Sequence, residues 1–227
     1  MGESLNRYFD AAILKPESTQ GEARDAIAAM VRAKTITVCV RPCDIALAVE
    51  MCRGTETAVS CVLGFPQGTA LSESKAEEAA RYVRMGVAEI DMVANYGLIL
   101  SGEWKRVERD LVLAREAARG VILKAILETG SLTLEQIAEA TRVAIGAGLD
   151  FVKTSTGFGA GGATEEAVKT MVAAAAGRIR VKASGGIRTR EACERYIELG
   201  CARLGVNYTT AAEICGVAAK GGAPGAY

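Results

Sequence analysis

Four ionisable residues stand inside strand-like runs: Asp91 in AEIDMVA, Lys124 in VILKAIL, Lys153 in DFVKTST and Lys182 in RVKASGG. A charge in a buried segment is expensive unless it is partnered, so each position asks for a use. Two lysines brought together in a desolvated site disfavour each other's ammonium form, which lowers the pKa of one from about 10.4 towards ~7 to 8. A lysine neutral near pH 7 attacks carbonyl carbon. The protonated imine that forms withdraws electrons, so a proton or a C–C bond beside the former carbonyl carbon can be broken. This chemistry requires no metal and no cofactor, only a second group such as Lys182 or Asp91 to carry protons. The plainer alternative is a buried ion-pair cluster, in which Lys124 would pair with Glu128 further along the same run.

Composition removes several other chemistries. The 227 residues include no histidine, which excludes Ser-His-Asp hydrolysis and His-ligated metal sites. Lys plus Arg and Asp plus Glu both number 27, so no global basic field draws the chain to nucleic acid or anionic lipid. No apolar run approaches the ~18 residues of a membrane span. Seven cysteines, odd in number and without a C-x-x-C pair, read as free thiols of a reducing cytoplasm. The start, MGESLNRYFD, has no basic-then-apolar pattern and is not a signal peptide; Gly2 belongs to a short lead-in rather than an acylation site.

The elements that position the four charges follow from hydrophobic period. Short runs rich in Val and Ile predict strands over 8–14, 35–40, 57–65, 87–94, 121–129, 150–154, 178–183 and 202–206. Helical period predicts helices over 72–85, 103–119, 133–147, 164–176 and 189–199. Ser72, Thr133 and Thr164 are read as their N-caps, and Gly86, Gly148 and Gly200 as left-handed stops. Strict alternation implies right-handed crossovers and a parallel sheet. Eight strands close it into a single-domain α/β fold, a (β/α)8 TIM barrel over residues 1–219, with 220–227 a flexible C-terminal tail. An open doubly wound sheet is the rival, but the first strand lacks a G-x-G-x-x-G turn. In a closed barrel the four charges converge near the C-terminal mouth, where barrel enzymes place catalysis. Glycine-rich turns at Thr156-Gly157-Phe158-Gly159 and Ser184-Gly185-Gly186 would bring backbone N–H groups to an anion there.

Taken together, FDAAILKPEST, TVCV, VLGFPQG, EIDMVANYG, LKAILETG, DFVKTSTGFGAGGAT and VKASGGIRT resemble the deoxyribose-phosphate aldolases, class I aldolases on a (β/α)8 barrel. The resemblance covers nearly the full chain. It implies reversible cleavage of 2-deoxyribose 5-phosphate to acetaldehyde and glyceraldehyde 3-phosphate. Lys153 would form the Schiff base, Lys182 would perturb it, and Asp91 would serve the proton relay. It further implies Lys124 as a supporting charge, and Asp10, Cys39, Thr154, Gly157, Gly185, Gly186 and Asn207 as substrate-binding positions.

Two departures stand out. Ala12 replaces a usual threonine, and Leu204-Gly205-Val206-Asn207-Tyr208-Thr209 replaces the small, serine-bearing turn that holds phosphate. The same imine chemistry on a less charged aldehyde therefore stays open, as does a non-catalytic sugar-phosphate binder. Oligomeric state stays open between homodimer and homotetramer. Finally, the chain ends on Tyr227. Seven or eight extended residues at about 3.3 Å each span roughly 25 Å, enough to return the tail to the mouth, where Tyr227 would assist proton transfer.

Overall fold

The computed structural model describes residues 4–219. Eight strands, β1 (Phe9–Ile13), β2 (Thr37–Val40), β3 (Ala58–Leu63), β4 (Glu89–Val93), β5 (Ile122–Ile126), β6 (Phe151–Lys153), β7 (Arg180–Ser184) and β8 (Arg203–Asn207), form a closed parallel barrel in chain order. β1 pairs with both β2 and β8, setting Asp10 opposite Thr37 on one side and Gly205 on the other.

The strand alternation divides each run between two cores. Ala11, Val38, Cys61, Ile90, Leu123, Val152, Val181 and Leu204 face outward, in one cluster with helix residues such as Ile27, Met30, Leu111, Ile137 and Met171. Each Val, Leu, Ile or Met side chain so removed from water contributes about 1.5 to 3 kcal/mol. The intervening residues point to the barrel axis. There Ala12, Leu14, Cys39 and Val62 form a separate small apolar group, with Phe65 packed against it.

The described residues carry nine α-helices: α1 (Gln20–Ala33), α2 (Ile45–Cys52), α3 (Ser72–Arg84), α4 (Tyr96–Leu100), α5 (Trp104–Ala117), α6 (Leu134–Gly146), α7 (Glu165–Ala175), α8 (Arg190–Glu198) and α9 (Tyr208–Ile214). Four of them, α1, α2, α4 and α9, are not foreseen by the helical period. Thr133 and Thr164 cap α6 and α7 as expected, accepting from the N–H groups of Gln136 and Ala167. Ser72 does not cap α3. It is the first helical residue, with Leu71 at the cap position, and its hydroxyl instead donates to Asp110 Oδ1 at 2.8 Å. Asp110 outcompetes the local cap because it is buried and also pairs with the fully buried Lys75 at 2.7 Å. Gly86, Gly148 and Gly200 all have positive φ after their helices, as the stop signals require. The 220–227 tail with Tyr227, and Gly2, lie outside the described residues.

Candidate active site

The axis of the barrel is polar where its outside is apolar. Reading inward positions up the strands, Glu89, Phe151 and Arg203 lie lowest, then Asp10, Lys124 and Lys182, then Cys39, Asp91 and Lys153. Odd and even strands alternate in supplying them, as is usual for such barrels. Phe151 is sandwiched by cations, with the guanidinium carbons of Arg180 and Arg203 4.1 and 5.5 Å from its ring centre and Lys124 Nζ at 5.9 Å.

Asp91 is the hub. Its Oδ1 accepts from Lys124 Nζ at 2.7 Å, and its Oδ2 accepts from both Lys182 at 2.7 Å and Lys153 at 3.0 Å. Lys182 also donates to Asp10 Oδ2 at 2.5 Å. Lys124 completes a web with Glu89 at 2.5 Å and Asp10 at 3.1 Å. Arg203 joins it from below, 3.2 Å from Glu89 and 3.8 Å from Asp10. Asp10, Asp91 and the three lysines are fully buried.

The electrostatics follow from this geometry. Burial works to raise the pKa of Asp91, yet Lys124, Lys182 and Lys153 together hold it well below the usual carboxylate range. Asp10 is depressed in the same way, against its burial, by Lys124 and Lys182. Burial opposes the charge on Lys124, but Asp10, Asp91 and Glu89 outweigh it and hold its pKa well above the ordinary value. The Cys39 thiol is pushed up, by burial first and then by Asp91. With every group ionised, Lys124, Lys153, Lys182 and Arg203 face Asp10, Glu89 and Asp91. The cluster thus carries one positive charge in excess.

The expected residues separate by what they touch. Lys153, Lys182, Asp91, Lys124, Asp10 and Cys39 converge. Lys124 does not pair with Glu128, because Glu128 leaves β5 in the left-handed conformation (φ 58°) and turns its carboxylate to the N–H and hydroxyl of Thr156. The hydroxyl of Thr154 is not turned to the cavity. It donates to Ser184 O at 2.9 Å and accepts from Ser184 N–H at 3.0 Å, stitching β6 to β7. Asn207 caps α9 with its Oδ1, which accepts from the N–H and hydroxyl of Thr209. Gly157, Gly185 and Gly186 lie in the turns above β6 and β7, and Gly185 is irreplaceable twice over. Its φ is +88°, and a β-carbon would come within 3.0 Å of Gly162 Cα.

Four contributors escaped the sequence reading. Glu89 stands two residues before Asp91 on the same strand face, a period-two spacing that could have revealed it. Arg203 heads its strand and resembles a solvated start. Gly205 shows its role only in three dimensions: a β-carbon there would meet Ser184 Oγ at 2.6 Å and Lys182 Cε at 3.2 Å. Ser155 is fully buried, and among the described residues its hydroxyl has no hydrogen-bond partner.

Comparison with known proteins supplies the family. The DeoC/LacD family aldolase pattern matches residues 5–207. The chain belongs to this family. It is 45% identical to the deoxyribose-phosphate aldolase of Kocuria rhizophila, over 90% of this chain and 93% of that one. Among solved structures, it is similar to QR15, an aldolase, at 36% identity and a TM-score of 0.88, covering 92% of this chain and 94% of that one. The tetrameric deoxyribose phosphate aldolase of Aeropyrum pernix follows at 25% identity and a TM-score of 0.82, over 92% and 89%. The lysines interrupting β5, β6 and β7 lie in the interior of an aldolase-family barrel.

Proposed function

We propose that this aldolase cleaves 2-deoxy-D-ribose 5-phosphate reversibly to acetaldehyde and D-glyceraldehyde 3-phosphate through an imine on Lys153. The observation that carries the reading is the single oxygen, Asp91 Oδ2, shared by the ammonium groups of Lys153 and Lys182. Bonded to the same oxygen, the two ammonium groups stand close enough to repel one another. The excess positive charge of the cluster favours the same result, release of one lysine proton. Lys124, tied to three carboxylates, keeps its own.

Neutral Lys153 attacks the C1 aldehyde, and loss of water gives the protonated imine. The C3 hydroxyl then gives up its proton while the C2–C3 bond breaks towards the imine. Glyceraldehyde 3-phosphate leaves and an enamine stays on Lys153. Protonation at C2 and addition of water release acetaldehyde and restore the amine. Asp91, hydrogen-bonded to both lysines, and Lys182 are suited to move these protons in a site where neither is in bulk solvent.

The phosphate has backbone N–H groups of the Gly157 and Gly185-Gly186 turns as its candidate partners. At β8 the grip is weaker than a serine-bearing turn would give, since the Asn207 oxygen is engaged by Thr209. That engagement favours a second reading, in which the same enzyme also accepts an uncharged deoxy sugar. The test compares kcat/KM for deoxyribose 5-phosphate and deoxyribose, following acetaldehyde release. The wild type should cleave both, and Asn207→Ser with Tyr208→Ser should raise the preference for phosphate ~10-fold or more, the worth of a regained charge-assisted hydrogen bond. A large wild-type preference that the double variant leaves unchanged would remove the second reading. No acetaldehyde from either sugar would remove the first.

The seven cysteines, none in a disulfide, support a cytoplasmic setting. No described helix is long and apolar enough to cross a membrane. Small aldehydes and sugar phosphates are the expected partners, with assembly into homodimers or homotetramers, and Tyr227 is the proposed further proton carrier at C2. Removal of Tyr227 should slow exchange of the C2 proton with solvent while imine trapping persists; equal exchange rates would make the tail a bystander.

A further inference from the structure

Three hydroxyl residues follow Lys153 in direct succession, and the outer two are occupied. Thr154 is bonded in both directions to the backbone of Ser184. Thr156 donates to Glu128 Oε2 at 2.5 Å and accepts from Phe158 N–H at 3.0 Å. Between them Ser155 is fully buried, and its Oγ has no hydrogen-bond partner among the described residues. Buried polar groups in folded proteins are nearly always partnered, so an orphan beside a reactive lysine points to a partner that arrives with a ligand.

Its place follows from the backbone. The ladder continues beyond β6, with Thr154 N–H donating to Lys182 O at 3.1 Å and Thr154 O accepting from Thr129 N–H at 2.9 Å. The two bonds run to opposite neighbours, so the regular pleat ends at Thr154, and the hydroxyls of Thr154 and Thr156 are held by Ser184 and Glu128. Its β-carbon also borders the glycine turn, 3.5 Å from where a β-carbon on Gly185 would stand. Ser155 thus stands two residues after the imine-forming lysine and against the turn proposed to meet the phosphate.

We propose that Ser155 is a substrate-contacting residue whose hydroxyl hydrogen-bonds to the hydroxyl-bearing C3–C4 stretch of the sugar. A hydroxyl that is free both to donate and to accept suits a partner that does the same. The role rests on the aldolase reading above, and it separates substrates by chemistry: the sugar has hydroxyls in that stretch, and acetaldehyde has none.

The experiment measures two reactions in wild type and Ser155→Ala. One is kcat/KM for cleavage of deoxyribose 5-phosphate and of deoxyribose. The other is exchange of the methyl protons of acetaldehyde with deuterated water, which passes through the same imine and enamine. Ser155→Ala should lower cleavage of both sugars about 5- to 100-fold, by a common factor, because the substrate hydroxyl is left without a partner in a dry site. Acetaldehyde exchange should stay within about 2-fold, which also reports an intact fold. Unchanged cleavage, an equal loss in both reactions, or a loss confined to the phosphorylated sugar would each overturn the proposal. A wild type that cannot trap acetaldehyde with borohydride overturns the aldolase reading itself, and this role with it.

Discussion

At the scale of single residues, three lysines of one cluster differ by the carboxylates each one meets. Lys124 is pinned charged by Asp10, Glu89 and Asp91, whereas Lys153 and Lys182 share one oxygen of Asp91. Lys182→Leu deletes a positive charge beside Lys153 and leaves Asp10 and Asp91 less compensated. Both changes favour the ammonium form of Lys153, so the pH–rate profile of cleavage should move to alkaline pH, and an unmoved profile would rule out the like-charge mechanism. The lysines and Asp91 were legible in the sequence because an ionisable residue in a β-branched run violates the expected pattern. Glu89 was less so, sharing its run with the louder Asp91. The true partners of Lys124 were hidden, because Asp10 lies over a hundred positions away and Glu128, the near carboxylate, is carried off by a left-handed backbone turn.

At the scale of elements, the strands act as a rack, and what matters is which inward position each leaves filled or empty. β8 leaves Gly205 empty beside β7, and Lys182 and Ser184 occupy that space. Gly205→Ala should therefore displace Lys182 from Asp10 and Asp91. Cleavage activity should fall at least ~10-fold with a stability loss of about 1 to 3 kcal/mol from overpacking, measured by kcat and by urea unfolding; retained kcat would show that Lys182 has other room. Strands were read nearly in full, since alternation within Val- and Ile-rich runs is a strong signal. Most ends were overextended, chiefly at β5, where a run predicted to Thr129 stops at Ile126, while β7 and β8 run one residue past their expected ends. α1 escaped because its buried stripe is built largely of alanines (Ala23, Ala26, Ala29, Ala33), which contrast weakly with polar neighbours. In α2, IALAVEMC is apolar almost all round and carries no clear helical period. Only a tertiary partner, Asp110, decides against Ser72 as a cap.

At the scale of the whole molecule, the barrel closes around a charged axis that ties β1, β4, β5, β6, β7 and β8 together, so the groups proposed for catalysis also carry stability. Asp10 and Asp91 are depressed in the folded state. Their contribution is complete above the ordinary carboxylate value near 4 and is lost as pH falls through their folded values. Lys124 is raised, so its contribution is complete below about 10.4 and lost as pH rises through its folded value. Asp10→Asn, which strips a carboxylate from two buried lysines, should destabilise the protein by about 3 to 5 kcal/mol at pH 7. The gap to wild type should narrow as urea titrations move from pH 6 to pH 3, and a gap constant with pH would contradict the ion-pair account. The central claim, an imine on Lys153, is tested most directly by incubation with acetaldehyde and borohydride, followed by peptide mass mapping of every lysine in the chain. The account predicts a single ethyl adduct at Lys153, absent in Lys153→Ala together with turnover; full-level trapping in that variant, on Lys182 or Lys124, would contradict it.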